Sequence, residues 1–87
     1  MYKYLAELVG VFVFALSILL TKGAPLTIGA VLALVVYMTK PISGGHINPA
    51  VSYMMYLKNA LSGMEFAYYT IAQLAGAALA LYAYRRY

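Results

Sequence analysis

Ser43-Gly44-Gly45-His46-Ile47-Asn48-Pro49-Ala50-Val51 decides how this chain is read. Two adjacent glycines, the single histidine and an Asn-Pro pair fall within it, in the middle of an otherwise apolar sequence. Such residues make loops and helix starts. In a membrane chain, non-helical backbone is tolerated at depth only where it is buried in protein or lines a wet cavity, because lipid offers N–H and C=O groups no partners. The stretch is therefore the candidate working part.

The surroundings make the membrane setting the natural one. The 87 residues are 66% hydrophobic and 9% charged, with a mean hydropathy of +0.83. A soluble domain this small is marginal even with ordinary polarity, and so few charges cannot cover its surface. Lys3, Lys22, Lys40, Lys58, Arg85 and Arg86 stand against Glu7 and Glu65, giving +4. The cations are single or paired at segment ends, as membrane flanks are; they form no patch for nucleic acid. Many of the ten tyrosines lie near the ends of apolar runs, where amphipathic rings meet headgroups. There is no cysteine, so disulfides and thiolate metal sites are excluded. A cleaved signal is not expected, since Met1-Tyr2-Lys3 is a minimal basic region and Glu7 opens the apolar run.

Outward from the central stretch, the pattern predicts an all-α membrane protein with three spans and one re-entrant half-helix. The first span runs over about 4–21, between Lys3 and Lys22, and Ala6 and Gly10 leave a notch on it for a neighbouring helix. Lys22-Gly23-Ala24-Pro25 is a turn, with Pro25 suited to the first helical position. The second span covers about 26–42, with Gly29 and Ala33 as a small pair; Lys40 must snorkel, and Pro41 is expected to end the regular helix. Residues 43–57 are the re-entrant loop and half-helix: Pro49 to Leu57 makes only ~13 Å, about half a membrane. The third span covers about 64–84, with Ala72, Gly76 and Ala80 giving one smooth face. No linker, low-complexity tract or internal repeat is visible, so the chain is one unit.

Asn48 is a good N-cap and Pro49 a good first residue, so a helix starting there aims its unpaired N–H groups and positive dipole end at Asn48. The backbone of Gly44, Gly45, His46 and Ile47 offers carbonyl acceptors, and the Asn48 amide offers donors. A row of acceptors leading to a donor suits a neutral, hydrogen-bonding permeant, whereas a cation meets the positive helix end.

These residues carry a resemblance. Ser43 to Val51, with Asn48-Pro49-Ala50, resembles the first re-entrant loop of the major intrinsic proteins, the aquaporins and glycerol facilitators. Ala6-Glu7-Leu8-Val9-Gly10 with Phe12 and Phe14 is similar to that family's first helix, and Tyr69 to Ala77, with Ala72-Gln73 and Gly76, to its third. The family's usual chain holds two such repeats in opposite orientation; this sequence holds one. The resemblance implies passive conduction of water or a small neutral solute such as glycerol. It implies that Asn48 donates to the permeant and that Gly44, Gly45 and His46 supply pore-facing carbonyls. It implies an apolar wall of Phe14, Leu32 and Val51, a filter position at Ile28, and a buried Glu7 bracing the loop.

Two departures bear on that. Lys40-Pro41 stands where the family usually has Gly-His, and Val51 follows the Asn-Pro-Ala where a second repeat would bring an Arg. A pore of two copies then has neither that Arg nor an aromatic at Ile28. Its narrow point is expected to be wider and more apolar, and the resemblance does not carry proton exclusion over to it. Lys3, Lys40 and Lys58 fall on one side of the expected topology and Lys22, Arg85 and Arg86 on the other, which gives the positive-inside rule little to act on. Two copies inserted opposite ways up would rebuild an inverted repeat as a homodimer; a complementary half-repeat is the other arrangement.

Blander readings stand beside these. Asn-Pro alone is an ordinary helix start, Glu7 alone an interfacial acid, and Ile28, Leu32 and Phe14 alone lipid-facing residues. Composition also fits a holin-like permeabilising or scaffolding protein, or an inactive remnant, but neither needs the Gly-Gly-His-Ile-Asn-Pro-Ala run. No metal, cofactor or catalysis is expected: one His and two distant acids make neither a ligand set nor a nucleophile–base pair.

Overall fold

A computed structural model describes residues 2–87. Four helices follow one another: α1 (Tyr2–Leu20), α2 (Pro25–Ser43), α3 (Pro49–Leu57) and α4 (Gly63–Arg86). Among the described residues, α1, α2 and α4 are long and apolar enough to cross a membrane, and no more than 28% of any of these spans is buried within the chain. The largest fully buried side chains are Gln73, Glu7 and Ser52, while Leu26 is 89% exposed. Polar groups inside and apolar groups outside is the ordering a lipid solvent demands.

Local chemistry sets the element ends. After α1, Lys22 takes a left-handed φ of 54°. Gly23 N–H then donates to Ile18 O and Lys22 N–H to Leu19 O, closing the last turn as a Schellman cap. Asn59 does the same after α3, with φ 69° and Ala60 N–H on Met55 O. Ser62 and Glu65 cap α4 reciprocally: each side chain accepts from the other's backbone N–H. Glu65 also holds Lys3 Nζ at 2.7 Å, which fixes α1 and α4 as parallel neighbours. One end of the molecule thus gathers the starts of α1 and α4 and the ends of α2 and α3.

Pro41 does not end its helix. α2 continues through it to Ser43 and stops at Gly44, whose φ of 92° and N–H bond to Lys40 O form a left-handed cap. The missing Pro41 N–H leaves the Tyr37 carbonyl without its usual donor. Tertiary bonds hold the last turn against that loss: Ser43 Oγ donates to Glu7 (2.6 Å), and Tyr69 Oη donates to Ser43 O (2.7 Å).

Helix α1 is central, touching α2 on one side and α4 on the other, while α3 rests on α4. Ala72, Gly76 and Ala80 of α4 are buried, and a Cβ on Gly76 would strike the Leu8 carbonyl of α1. The small-residue face is the α1–α4 seam. Gly10 of α1 makes room for the loop: a Cβ there would come within 2.6 Å of Ile47 Cδ1. Val11, Val35 and Ile47 form the small apolar core. Nothing lies within 4 Å of a Cβ on Gly29. Among the described residues α2 meets α4 through the Tyr69–Ser43 bond at its last turn, and a cavity lies beside the loop between α1, α2 and α3.

Candidate functional site

The loop from Gly44 to Asn48 is bent by backbone that few residues accept. Gly44, Gly45 and Ile47 have φ of 92°, 65° and 58°. The glycines do this freely. A Cβ at Gly45 would also lie 3.0 Å from Val36 O. Ile47 is β-branched, and the left-handed region costs it about 1–3 kcal/mol.

Glu7 meets that cost. It is fully buried. Its Oε1 accepts from Ile47 N–H (2.8 Å) and Gln73 Nε2 (2.9 Å); its Oε2 accepts from Ser43 Oγ (2.6 Å) and His46 N–H (3.1 Å). Two donors on each oxygen leave no orphan acceptor in an apolar interior. Two loop N–H groups are thereby tied to α1, and Ile47 is wedged against Gly10.

The His46 ring is held from both sides. It stacks on Tyr69 with centroids 4.6 Å apart, and Nδ1 lies 2.9 Å from Ser52 Oγ. Gln73 Nε2 donates to the same Ser52 oxygen at 2.9 Å. Gln73 thus ties α4 to Glu7 and to α3 at once. Its Oε1 is buried without a partner among the described residues.

Asn48 caps α3. Its Oδ1 accepts from Ala50 N–H at 2.8 Å, which fixes the amide orientation and leaves the two Nδ2 hydrogens without a partner among the described residues. Asn48 is exposed. It borders a cavity of about 270 Å³ lined by Phe14, Leu32, Val36, Gly45, His46, Ile47, Asn48 and Val51. Of the residues expected along a passage, Phe14, Leu32, Val51, Gly45, His46 and Asn48 share this cavity. Gly44 and Ile28 do not line it: Gly44 caps α2, and Ile28 sits one turn beyond Leu32. Val36 and Ser52 were not singled out from the sequence, and Tyr69 and Gln73 only as part of a motif. Val36 could have been found as the next residue at i+4 from Leu32. Ser52 and Gln73 are polar residues in apolar helices, a pattern that asks for a partner as an acid does. No group of three His, Cys, Asp or Glu that could hold a metal occurs among the described residues.

A four-helix unit of this kind, with three apolar helices long enough to span and a short helix capped by a polar loop beside an open cavity, defines a class of multi-pass integral membrane protein. The family model "Major intrinsic protein" matches residues 9–85, and the chain belongs to that family. It is 36% identical to glycerol uptake facilitator protein-like 6 of Lactiplantibacillus plantarum, over 92% of this chain and 41% of the relative. It is 39% identical to the propanediol uptake facilitator PduF of Citrobacter freundii, over 78% of this chain and 29% of the relative. It is 44% identical to a PIP-type aquaporin of Atriplex canescens, over 63% of this chain and 20% of the relative. The chain therefore spans less than half the length of these relatives. No solved structure matches it significantly.

Proposed function

We propose that the chain is half of a passive channel for water or small neutral solutes such as glycerol, completed by a second half-repeat, with an antiparallel copy of itself as the favoured partner. The observation that carries this is the Asn48 amide. Its oxygen is spent on the helix cap, and its donors stand at a cavity walled by loop backbone and apolar side chains. Neutral molecules with hydroxyl groups exchange hydrogen bonds with such a wall, while the positive end of α3 disfavours cations.

The need for a second half follows from exposure. Gly44, Asn48 and Ala50 are exposed at the loop and at the start of a half-helix, and lipid cannot satisfy irregular polar backbone. A second copy with the opposite orientation would cover the cavity with the same kind of surface. The near balance of cations between the two ends supports insertion both ways up.

Purified protein in liposomes, given an osmotic step, tests the reading. Water or glycerol flux is expected, and Asn48→Asp is expected to lower it at least about tenfold, since a carboxylate still caps the helix but has no donors to present. Leakage of large dyes would overturn the channel reading, and no flux from the unsubstituted chain would remove the self-paired channel in favour of a remnant or a half that needs a different partner. Accessibility tags on both ends would show two orientations; a single orientation removes the antiparallel pair.

A further inference from the structure

We propose that Lys40 is a selectivity residue: an unneutralised cation at the mouth of the passage that holds back protons and metal cations while neutral solutes pass. The proposal rests on the channel reading above and assigns a task to a residue which that reading leaves idle. Leu32 and Val36 line the cavity, and Lys40 is the next residue on the same i, i+4 ridge of α2, about one turn or ~5.4 Å nearer the end of the span. Its carbonyl accepts the Gly44 N–H at 3.0 Å, so its backbone sits directly at the start of the loop that forms the polar wall. Lys40 is exposed, and it borders an open groove with Tyr37, Met38 and Pro41 at the end of α2.

Nothing among the described residues cancels this charge. There are only two acids. Glu7 is buried and already takes four donors. Glu65 is held by Lys3 at 2.7 Å, on the far side of α1 from α2. Lys58, at the C-cap of α3, brings a second exposed cation to the same end. Val51 leaves no cation beside Asn48. The positive charge of the passage is thus displaced from its narrow part to its rim, where low-dielectric walls focus the field along the opening. In an antiparallel pair, each mouth receives one Lys40.

The test uses the purified full chain in phosphatidylcholine liposomes. Glycerol flux, proton leak reported by an entrapped pH dye, and potassium flux are compared for the unsubstituted protein, Lys40→Gln and Lys40→Glu. Arg85→Glu at the other end of α4 is the charge control. Lys40→Glu is expected to raise proton and potassium leak about tenfold, with Lys40→Gln between, and the difference should shrink as salt rises to about 1 M. Glycerol flux should stay within about twofold, because Lys40 lies outside the cavity lining. Glycerol flux with cation leak unchanged in both Lys40 variants, or raised equally by Arg85→Glu, overturns the proposal and leaves the channel reading standing. Absence of both water and glycerol flux in the unsubstituted protein overturns the self-paired channel and this proposal with it.

Discussion

The two sides of α1 are finished to different degrees. Towards α4 the surface is closed. Gly76 lets the Leu8 carbonyl approach, Ala80 is 0% exposed, Tyr4 meets Tyr68 and Tyr69 edge-on, and Lys3 pairs with Glu65. Towards α2 the contact is a thin apolar layer around Val35 and Gly10, closed at one end by the Ser43–Glu7 bond, and the outer face of α2 is open among the described residues: Leu26 is 89% and Tyr37 79% exposed. Apolar exposure is cheap in lipid, so by itself it says little about α2. The polar loop next to that face is different, because exposed carbonyls and an amide need water or protein beside them. The comparison separates what holds the single chain together from what remains to be covered.

The largest effect is expected at the residue that joins both sides. Glu7→Leu removes the acceptor for Ser43, His46, Ile47 and Gln73 together. Stranding several buried donors should cost at least about 3 kcal/mol, read as a lower melting temperature by circular dichroism in detergent, with flux abolished. If that variant melts with the unsubstituted protein, the loop is held by something other than α1. A smaller loss, about 1–3 kcal/mol, is expected for Gly76→Ala, because the obstacle is backbone and cannot rotate away. Its melting temperature should fall while the loop bonds to Glu7 survive, so flux measured below the transition should outlast that of Glu7→Leu.

How much of this was legible depends on how local each cause is. The three spans follow from runs of apolar residues, and the start of α3 from the cap chemistry of Asn48 and Pro49, which acts within two residues. Pro41 misleads because the rule for proline is local and its exception is not: the turn beyond it is held by Tyr69, 26 residues on. Ile47 is the extreme case. A β-branched residue argues against a left-handed backbone, and only a carboxylate 40 residues away makes that conformation stable. The site's outline could be read from one stretch, but its scaffold of Ser52, Tyr69 and Gln73 is written in separate helices and meets only on folding.

The smallest effect on stability is the most informative about the open side. Gly29 lies seven residues before Val36, on the same face of α2, and a side chain there meets nothing in the protomer. Gly29→Leu should leave the melting temperature unchanged or slightly higher, since leucine favours a helix over glycine by about 0.8 kcal/mol. Where lipid alone covers α2, flux is also unchanged. Where a second half packs there, leucine fills the notch that lets the helices approach. Flux should then fall several-fold, and crosslinking between copies should fall with it. A channel whose flux ignores Gly29→Leu is not completed across this face of α2, and its second wall must stand on the α3 side of the cavity instead.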